Sequence, residues 1–366
     1  MRFPLGLVVL PGLALATAFG QSPMLLSGPA RCQECRIELE QVVVLGDSAG
    51  PGMLREQASI ATDQRGRFYI NGPYDPAILV FDARGRFLQR IGRQGQGPGE
   101  FAGAPIIFFG GGDTLYALDR ARLTVFSPEY KLVRTATLGL SYSSVVRLPD
   151  GHFLLSGSGR TPESIGYPLH LIDETGAHVR SFGSATGAKD LPSAPDPSIR
   201  RLAAPVGQSV WSVKLTQLVL EQWTFGGKQL TRITRDAPWF PRNIQMPRGG
   251  TDGTHPSPPW IGSVSQDKAG LLWTLTIVPD REWRPRTLPQ HPGGGTYTPD
   301  SLRHKIHDSV LEVIDPERRV VLATRTFDTL FKAFIAPGLL ASYTEDASGN
   351  PRYVIWRTRL VSPFSK

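Results

Sequence analysis

Several histidines lie in one part of the sequence, and two of them have a spacing that suits metal binding. His304 and His307 are separated by two residues, and Asp308 follows directly, while His255 and His291 precede this group. Imidazole nitrogens and carboxylate oxygens at short spacing are ligands that proteins offer to zinc. Histidines in a polar loop are equally compatible with a solvated surface, so a calcium or zinc site stays open and the sequence establishes no cofactor.

The two cysteines form a single CxxC motif, Cys32 and Cys35. Arg36 stands where haem attachment would need histidine, and a closed zinc site would need two further ligands that no second CxxC provides. In an exported protein such a pair is expected to be oxidised. The bond closes a very short loop and adds little chain-entropy stabilisation. We therefore expect an inert or weakly redox-active disulfide between Cys32 and Cys35.

A glycine-rich run, IGRQGQGPGEF, occupies residues 91–101. A phosphate-binding loop would place these glycines at the start of a helix, followed by Lys-Ser/Thr or within a βαβ unit. None of these features follows the run. Glycine also supplies the positive φ angles of sharp connections, so the sequence favours a connector between strands over a phosphate site.

A similar glycine-containing connection recurs along the chain. Strand-like runs end in glycine at Gly46, Gly92, Gly139 and Gly183, about every 45 residues, which is the period of a four-stranded propeller blade. Six units can be delineated, and the sixth lacks its outer strand. The unpaired run 37–45 can supply that strand and remove an open sheet edge. The sequence thus predicts an all-β fold, a six-bladed β-propeller of four-stranded antiparallel blades, closed by an N-terminal strand in the last blade.

The runs GQGPGEF, IATDQRGRFYI and ILVFDARGRFLQRIG resemble NHL-repeat six-bladed β-propellers, above all the exported bacterial ones. The family's connector is matched by a set of six residues, and its strand turns by another set of five. These residues are Gly92, Gly95, Gly97, Pro98, Gly99 and Phe101, with Asp63, Gly66, Phe81, Asp82 and Gly85. The match is specific in the first unit and weakens along the chain. The resemblance implies the propeller fold, whereas function must be argued from the site.

The N-terminus has the pattern of an export signal. Arg2 precedes the apolar stretch 5–16, and Ala18-Phe19-Gly20 places small residues before a cut at Gln21. We expect residues 1–20 to be a signal peptide, 21–36 an N-terminal segment with CxxC, and 37–366 the propeller. An uncleaved N-terminal anchor is the alternative. The predicted mature protein is periplasmic or extracellular and has no transmembrane segment, because no later apolar run reaches 18 residues.

The formal net charge of +8 is dispersed, with no run of five basic residues. This pattern is unlike the clustered basic footprint of nucleic-acid-binding proteins, so no nucleic-acid partner is expected. In an up-and-down propeller the connectors between blades and the loops between second and third strands reach one face. Two insertions, near 236–260 and 279–308, belong to the fifth unit and both reach that face. Long loops on a rigid scaffold commonly carry binding sites.

The predicted binding residues are charged and aromatic residues of these loops around the mouth of the central channel, where a polar ligand or charged peptide could bind. They are Tyr74, Asp75, Asp119, Arg120, Arg122, Arg160, Trp239, Arg281, Trp283 and Glu345. The alternative is that the aromatic residues fold the loops onto the blades.

The sequence contains no convincing catalytic arrangement. It therefore favours an exported, non-catalytic propeller that binds a protein, peptide or polar ligand, with a protein or peptide of the cell envelope as partner. The alternative is a metal-dependent, lactonase-like hydrolase or lyase with its site at the channel mouth. A purely structural role in an envelope complex is a third possibility. Whether the chain is an enzyme is left open.

Overall fold

The computed structural model describes residues 24–55, 59–72, 75–138, 140–159, 161–183, 199–242, 244, 253–290 and 296–362. Within these residues nearly all regular structure is β-strand, arranged in six sheets. Two strands precede the repeats, β1 (Met24–Ser27) and β2 (Arg36–Leu45). The expected signal peptide, Tyr74, Arg160 and His291 lie outside the described residues.

The first three blades follow in chain order. Blade one contains β3 (Ser59–Thr62), β4 (Phe68–Asn71), β5 (Ile78–Phe81) and β6 (Phe87–Ile91). Blade two contains β7 (Ile106–Phe109), β8 (Leu115–Asp119), β9 (Arg122–Phe126) and β10 (Leu132–Thr137), with a 3₁₀ turn at Gly111–Asp113. Blade three contains β11 (Leu140–Arg147), β12 (Phe153–Gly159), β13 (Leu169–Ile172) and β14 (His178–Phe182).

The last three blades carry the longer connections. Blade four contains β15 (Arg200–Leu202), β16 (Ser209–Lys214), β17 (Val219–Thr224) and β18 (Gln229–Asp236). Blade five contains β19 (Trp260–Gln266), β20 (Leu272–Pro279), β21 (His307–Asp315) and β22 (Val320–Phe327), with a short helix, α1 (Asp300–Arg303), between its second and third strands. Blade six contains β23 (Phe331–Ala336), β24 (Leu339–Glu345) and β25 (Pro351–Val361).

The N-terminal strand β2 closes the ring, as the sequence predicts. It pairs antiparallel with β25 from Arg36↔Val361 to Leu45↔Tyr353 and becomes the outer strand of blade six. The pairing covers a strand edge that would otherwise expose its backbone groups. The six-bladed fold with four-stranded antiparallel blades is confirmed.

One strand was not predicted. β1 adds to the outer edge of blade four, parallel to β18, in the register Met24↔Ile233 to Ser27↔Asp236. The chain then passes blade five, where the Arg31 amide donates to the Val321 carbonyl at 2.9 Å, and enters blade six as β2. The segment before the repeats therefore runs along the rim of three successive blades.

Apolar residues fill the spaces between the blades. The described residues form six clusters of buried side chains, one between each pair of neighbouring blades, including the pair formed by blades six and one. In that closing space Leu45 of β2 and Tyr343 of blade six pack with Phe68 and Phe81 of blade one. Burial of apolar surface on both faces of every sheet holds the ring together.

The glycine-rich run is a connector between blades one and two. Gly92 has φ +69°, and a Cβ atom there would lie 2.5 Å from Phe101 Cε2. Phe101 is fully buried among residues of both blades. Glu100 accepts the Gly97 amide at 2.8 Å and pairs with Arg93 at 2.7 Å, which keeps the pKa of Glu100 below its usual value. The run is a sharp connection between two blades, as the absence of a following helix in the sequence predicts.

Candidate functional site

The antiparallel order places the connectors between blades and the loops between second and third strands on one face, here called the loop-rich face. The connector 237–259 leads from β18 to β19, and the loop 280–306 leads from β20 to β21. The two contact each other: the Arg286 amide donates to the Gly253 carbonyl at 2.9 Å. Gly253 has φ +82°, and an added Cβ would lie 2.1 Å from the Arg286 carbonyl oxygen, so this approach needs glycine.

The loop 280–306 is anchored at its base. The Asp280 amide donates to the Ile306 carbonyl at 2.9 Å, which continues the pairing of β20 with β21 beyond Pro279. Asp280 Oδ1 accepts the Glu282 amide at 2.5 Å, and the Trp283 amide donates to the Asp280 carbonyl at 3.1 Å. These bonds fix a tight turn that carries the predicted binding residues Arg281 and Trp283. The Arg281 side chain is 69% exposed, and Trp283 is half-buried.

Trp239 lies in the other long segment and is partly structural. It packs against the core between blades four and five and contacts Phe240 edge-on, with ring centroids 6.1 Å apart. Phe240 is buried. Nearby, Arg242 donates to Asp236 at 2.6 Å across an exposed ion pair, which lowers the pKa of Asp236. The aromatic residues of this segment thus help to fold it onto the blades, as the alternative interpretation of the sequence requires.

Asp119 and Arg122, both predicted to bind a ligand, hold the glycine-rich connector in the structure. Asp119 Oδ2 accepts the Ala102 amide at 2.5 Å, and its carboxylate lies 3.7 Å from the Arg122 guanidinium. Arg122 donates to the carbonyl oxygens of Gln96, at 2.8 Å, and Glu100. Their intervening neighbour Arg120 is exposed and has φ +53°. Ligand binding by these residues stays a prediction, and the observed bonds show that Asp119 and Arg122 stabilise the connector.

The remaining predicted residues lie farther round the same face. Asp75 pairs with Arg90 at 2.6 Å and accepts the Ala77 amide. Glu345 accepts the Tyr343 hydroxyl at 3.1 Å and lies 4.0 Å from Lys305 of the blade-five loop. The structure therefore gathers Arg281 and Trp283 on one loop, and it places Asp75 and Arg120 on separate blades.

The two closely spaced histidines contact different parts of the structure. The His304 ring lies 5.5 Å from the Tyr343 ring in blade six. His307 is buried, its Nδ1 is 3.0 Å from the Arg303 carbonyl oxygen, and its ring meets Trp260 edge-on at 5.0 Å. Burial lowers the pKa of His307 to about 4, so the ring is neutral at physiological pH.

Beside His307 lies a group of carboxylates that sequence reasoning found only in part. Asp280, Asp308 and Asp328 each bring one oxygen to within 4.8 Å of the others. Asp280 follows β20, Asp308 is the second residue of β21, and Asp328 follows β22. Asp308 follows the two closely spaced histidines in the sequence, so it was already considered as a metal ligand. Asp280 and Asp328 could be found only by aligning the strand ends, which needs the register.

The central channel has a different chemical character. Its cavity of about 570 Å³ is enclosed by the inner strands of all six blades, and its described lining contains Arg147, Arg201 and Lys332 but no carboxylate or imidazole. Arg201 donates to the carbonyl oxygens of Ser143 and Ile261, at 3.1 and 3.4 Å, and so links three neighbouring inner strands. Burial lowers the pKa of Arg201. The wall of the channel is therefore apolar and basic.

On the opposite face, Cys32 and Cys35 form a disulfide. The Cys35 amide donates to the Cys32 carbonyl at 3.2 Å, so the pair spans a turn that leads directly into β2. A cavity of about 700 Å³ beside it is lined by turns of blade five and by the ends of blade-six strands. Cys35 packs against the core between those blades. The disulfide thus lies where the N-terminal segment joins the ring.

Comparison with known proteins agrees with this architecture. Residues 56–192 match the sequence profile of the DUF5128 family, described as a 6-bladed beta-propeller. No curated protein shows significant sequence similarity to the chain. Among the described residues, no helix has the length and apolar character needed to cross a membrane.

Several solved structures are similar. One is a Bacteroides fragilis protein that its name calls exported, 10% identical with a TM-score of 0.57, the match covering 92% of this chain and 99% of that one. Another is a DUF4221 family member from Bacteroides vulgatus, 10% identical with a TM-score of 0.59, covering 90% and 99%. Virginiamycin B lyase from Staphylococcus aureus is 9% identical, covering 88% and 99%, but its TM-score of 0.46 is too low to support an argument. Such identities show a shared fold alone. The predicted resemblance is confirmed at that level, and the chain is a six-bladed β-propeller.

Proposed function

We propose that this protein is an exported binding propeller that holds a protein or peptide of the cell envelope on its loop-rich face. The observation that carries the proposal is the meeting of the two long blade-five segments on that face, joined by the hydrogen bond between Arg286 and Gly253. The described parts of the two insertions thus meet on a rigid scaffold. Loops positioned in this way are where propellers and other rigid folds commonly bind partners.

The exposed side chains of this surface have the composition of an interface. Arg281 and Arg284 are exposed, and Trp283 between them is half-buried. Arginine and tryptophan are the residues most often found to contribute strongly to binding at interfaces. The backbone beneath them is fixed by the turn at Asp280, so little ordering is needed when a partner binds. A partner with carboxylates beside an apolar group would complement these residues.

Export is part of the proposal. The N-terminal pattern of Arg2, an apolar stretch and Ala18-Phe19-Gly20 supports it, and so does the CxxC disulfide, because such bonds persist in oxidising compartments. A structurally similar Bacteroides fragilis protein also carries the word exported in its name. The partner would then be a component of the periplasm or the cell exterior.

Site-specific photo-crosslinking in intact cells tests this proposal. A photoreactive residue in place of the exposed Glu282, next to Trp283, should yield a discrete adduct, and the same residue in place of Glu317, an exposed position on the opposite face of blade five, should not. Arg284→Ala, combined with the photoreactive residue on the loop-rich face, should lower the adduct yield. Arg318→Ala on the opposite face, combined with the same residue, should leave it unchanged. Equal labelling from both faces, or no adduct at position 282, would overturn the proposed binding face.

The alternative of a metal-dependent hydrolase or lyase needs metal ligands that converge on the channel. The described channel wall offers Arg147, Arg201 and Lys332 and no carboxylate or imidazole. The three-carboxylate group lies instead at the end of the second to fourth strands of blade five, away from the inner strands. The geometry therefore gives that alternative no support.

A further inference from the structure

The register of blade five brings three aspartates together at the edge that meets the loop-rich face. Pro279 pairs with His307, and the Asp280 amide continues this pairing to Ile306. On the other side of β21, Ser309 pairs with Phe327, so the next position along places Asp308 opposite Asp328. Carboxylate oxygens of all three residues lie within 4.8 Å of one another. Three adjacent strands thus contribute one acid each to a single point.

Asp308 is the buried member of this group. The residue is 2% exposed, and its Oδ1 atom has no hydrogen-bond partner among the described residues. A buried carboxylate oxygen without a protein partner is costly, and it can be satisfied by a bound water or ion. The nearest cation is Arg281, whose Nε lies 3.7 Å from Asp308 Oδ2, beyond hydrogen-bond distance, and whose side chain is mostly in solvent. This guanidinium therefore leaves Oδ1 unsatisfied.

The local electrostatics favour a bound cation. Three acids on neighbouring strand ends repel one another when all are ionised. A bound cation would remove this repulsion and would satisfy the buried oxygen.

We propose that Asp280, Asp308 and Asp328 bind a calcium ion. The group offers oxygen atoms alone, which suits a hard cation, whereas zinc sites are usually built from histidine and cysteine. Calcium takes six to eight oxygen ligands at about 2.3–2.6 Å in flexible geometry, so oxygens up to 4.8 Å apart can share one ion. Asp328 is exposed, and water can complete the coordination from that side. A partly open site of this kind is expected to bind calcium with a dissociation constant of about 10⁻⁵ to 10⁻³ M.

The ion would join the second, third and fourth strands of blade five at the root of the loop 280–306. Asp280 is also the residue whose backbone carbonyl accepts the Trp283 amide, so the ion and the turn share an anchor. Calcium is therefore expected to stabilise the blade and the base of this loop. The proposal does not depend on the loop binding a partner, and it is tested without one.

Isothermal titration of the metal-free, signal-cleaved protein with calcium chloride, together with its thermal unfolding, tests the site. The wild-type protein should bind one calcium ion and unfold at a higher temperature when calcium is present. Asp308→Asn should abolish both effects, and Asp328→Asn should weaken binding by about tenfold or more. Glu317→Gln changes the charge by the same amount on the opposite face of blade five, and it should bind calcium like the wild type.

The variants separate the site from general effects on folding. Removing one of three mutually repelling carboxylates should not lower the stability of the metal-free protein, so loss of binding in a folded Asp308→Asn variant supports the site. If that variant fails to fold, calcium binding by the exposed Asp328→Asn variant tests the site instead. Wild-type protein that shows neither binding heat nor a thermal shift at millimolar calcium would overturn the proposal, as would undiminished binding in Asp328→Asn.

Discussion

The ion pair of Arg235 and Glu312 joins blades four and five, and its loss should be among the most damaging single changes to the ring. Their side chains are 2% and 0% exposed, and the guanidinium Nη2 donates to Glu312 Oε1 at 2.9 Å. Arg235 Nη1 also donates to the Asp236 carbonyl at 2.6 Å and the Leu26 carbonyl at 3.4 Å. The Thr324 hydroxyl donates to Glu312 at 3.0 Å. The pair thus links β1, β18, β21 and β22.

Glu312→Gln keeps the shape of this side chain and removes its charge. The Arg235 guanidinium would then stay buried with no carboxylate beside it. Removing one partner of a buried pair costs about 3–5 kcal/mol, because the remaining charge keeps its desolvation penalty. Near-complete burial of both side chains places Glu312→Gln within that range. By contrast, loss of the exposed pair between Arg242 and Asp236 should change stability little.

Equilibrium unfolding in urea measures this difference directly. Glu312→Gln should lower the midpoint at an unchanged slope, with a loss of about 3–5 kcal/mol in the free energy of unfolding. The double variant Arg235→Met/Glu312→Leu should recover most of that loss, because apolar replacements of buried ion pairs are often neutral or stabilising. A loss below about 1 kcal/mol for Glu312→Gln would refute the claim that an unpaired charge is left buried between the blades.

Three further predictions address the connector and the response to pH. Gly92→Ala should lower the free energy of unfolding by about 2–5 kcal/mol, because it adds left-handed backbone strain and a clash with a buried ring. Gly50→Ala, with φ +86° and open space around it, should lower it by about 1–2 kcal/mol from strain alone. Equal losses in urea unfolding would contradict this prediction. Burial lowers the pKa of His170, so the unfolded chain binds a proton near pH 6.5 before the folded chain does, and this residue should lower stability below that pH by up to about 1.4 kcal/mol per pH unit. The His170→Gln variant should have a shallower dependence, with the buried His307 contributing a share that remains, and an unchanged slope would count against the prediction. Arg122→Ala should increase hydrogen exchange in the glycine-rich connector, because Arg122 donates to the Gln96 carbonyl there, and Arg120→Ala should not. Similar exchange in both variants would show that Arg122 does not hold the connector.

The ring itself could be predicted from the sequence because its signals are local and repeated. Glycines at regular intervals give the length of a blade, the strand units that follow give the count of six, and the unpaired run at 37–45 identifies the closing strand. The strand β1 escaped prediction because Met24–Ser27 is short and its partner β18 lies about 200 residues away, as a parallel neighbour. No turn residue or periodicity near such a segment reveals a pairing of that kind.

The site was harder to predict because it depends on register and on side-chain partners. Composition made Arg281 and Trp283 candidates through their long loop, and the structure places them on a fixed turn; their binding role stays a prediction. Asp119 also lies in a loop of the predicted face, but its buried carboxylate holds the neighbouring connector. Asp280 and Asp328 meet only because their strands end at matching positions, and a shift of one residue would separate them.

The proposed binding face and the proposed calcium site both depend on a ring that β2 closes against β25, and a designed disulfide tests that closure most directly. Glu40 and Arg357 are paired, exposed and joined by an ion pair of 3.1 Å. Paired antiparallel positions lie about 4.5–5.5 Å apart between Cα atoms, within the range that a disulfide spans. Glu38 pairs instead with Arg359, so Glu38→Cys/Arg357→Cys is displaced by two residues. Mass spectrometry of the unreduced protein should find the new bond in most chains of Glu40→Cys/Arg357→Cys and in few of the displaced variant; no bond in the first variant, or equal bonding in both, would contradict the closure and its register.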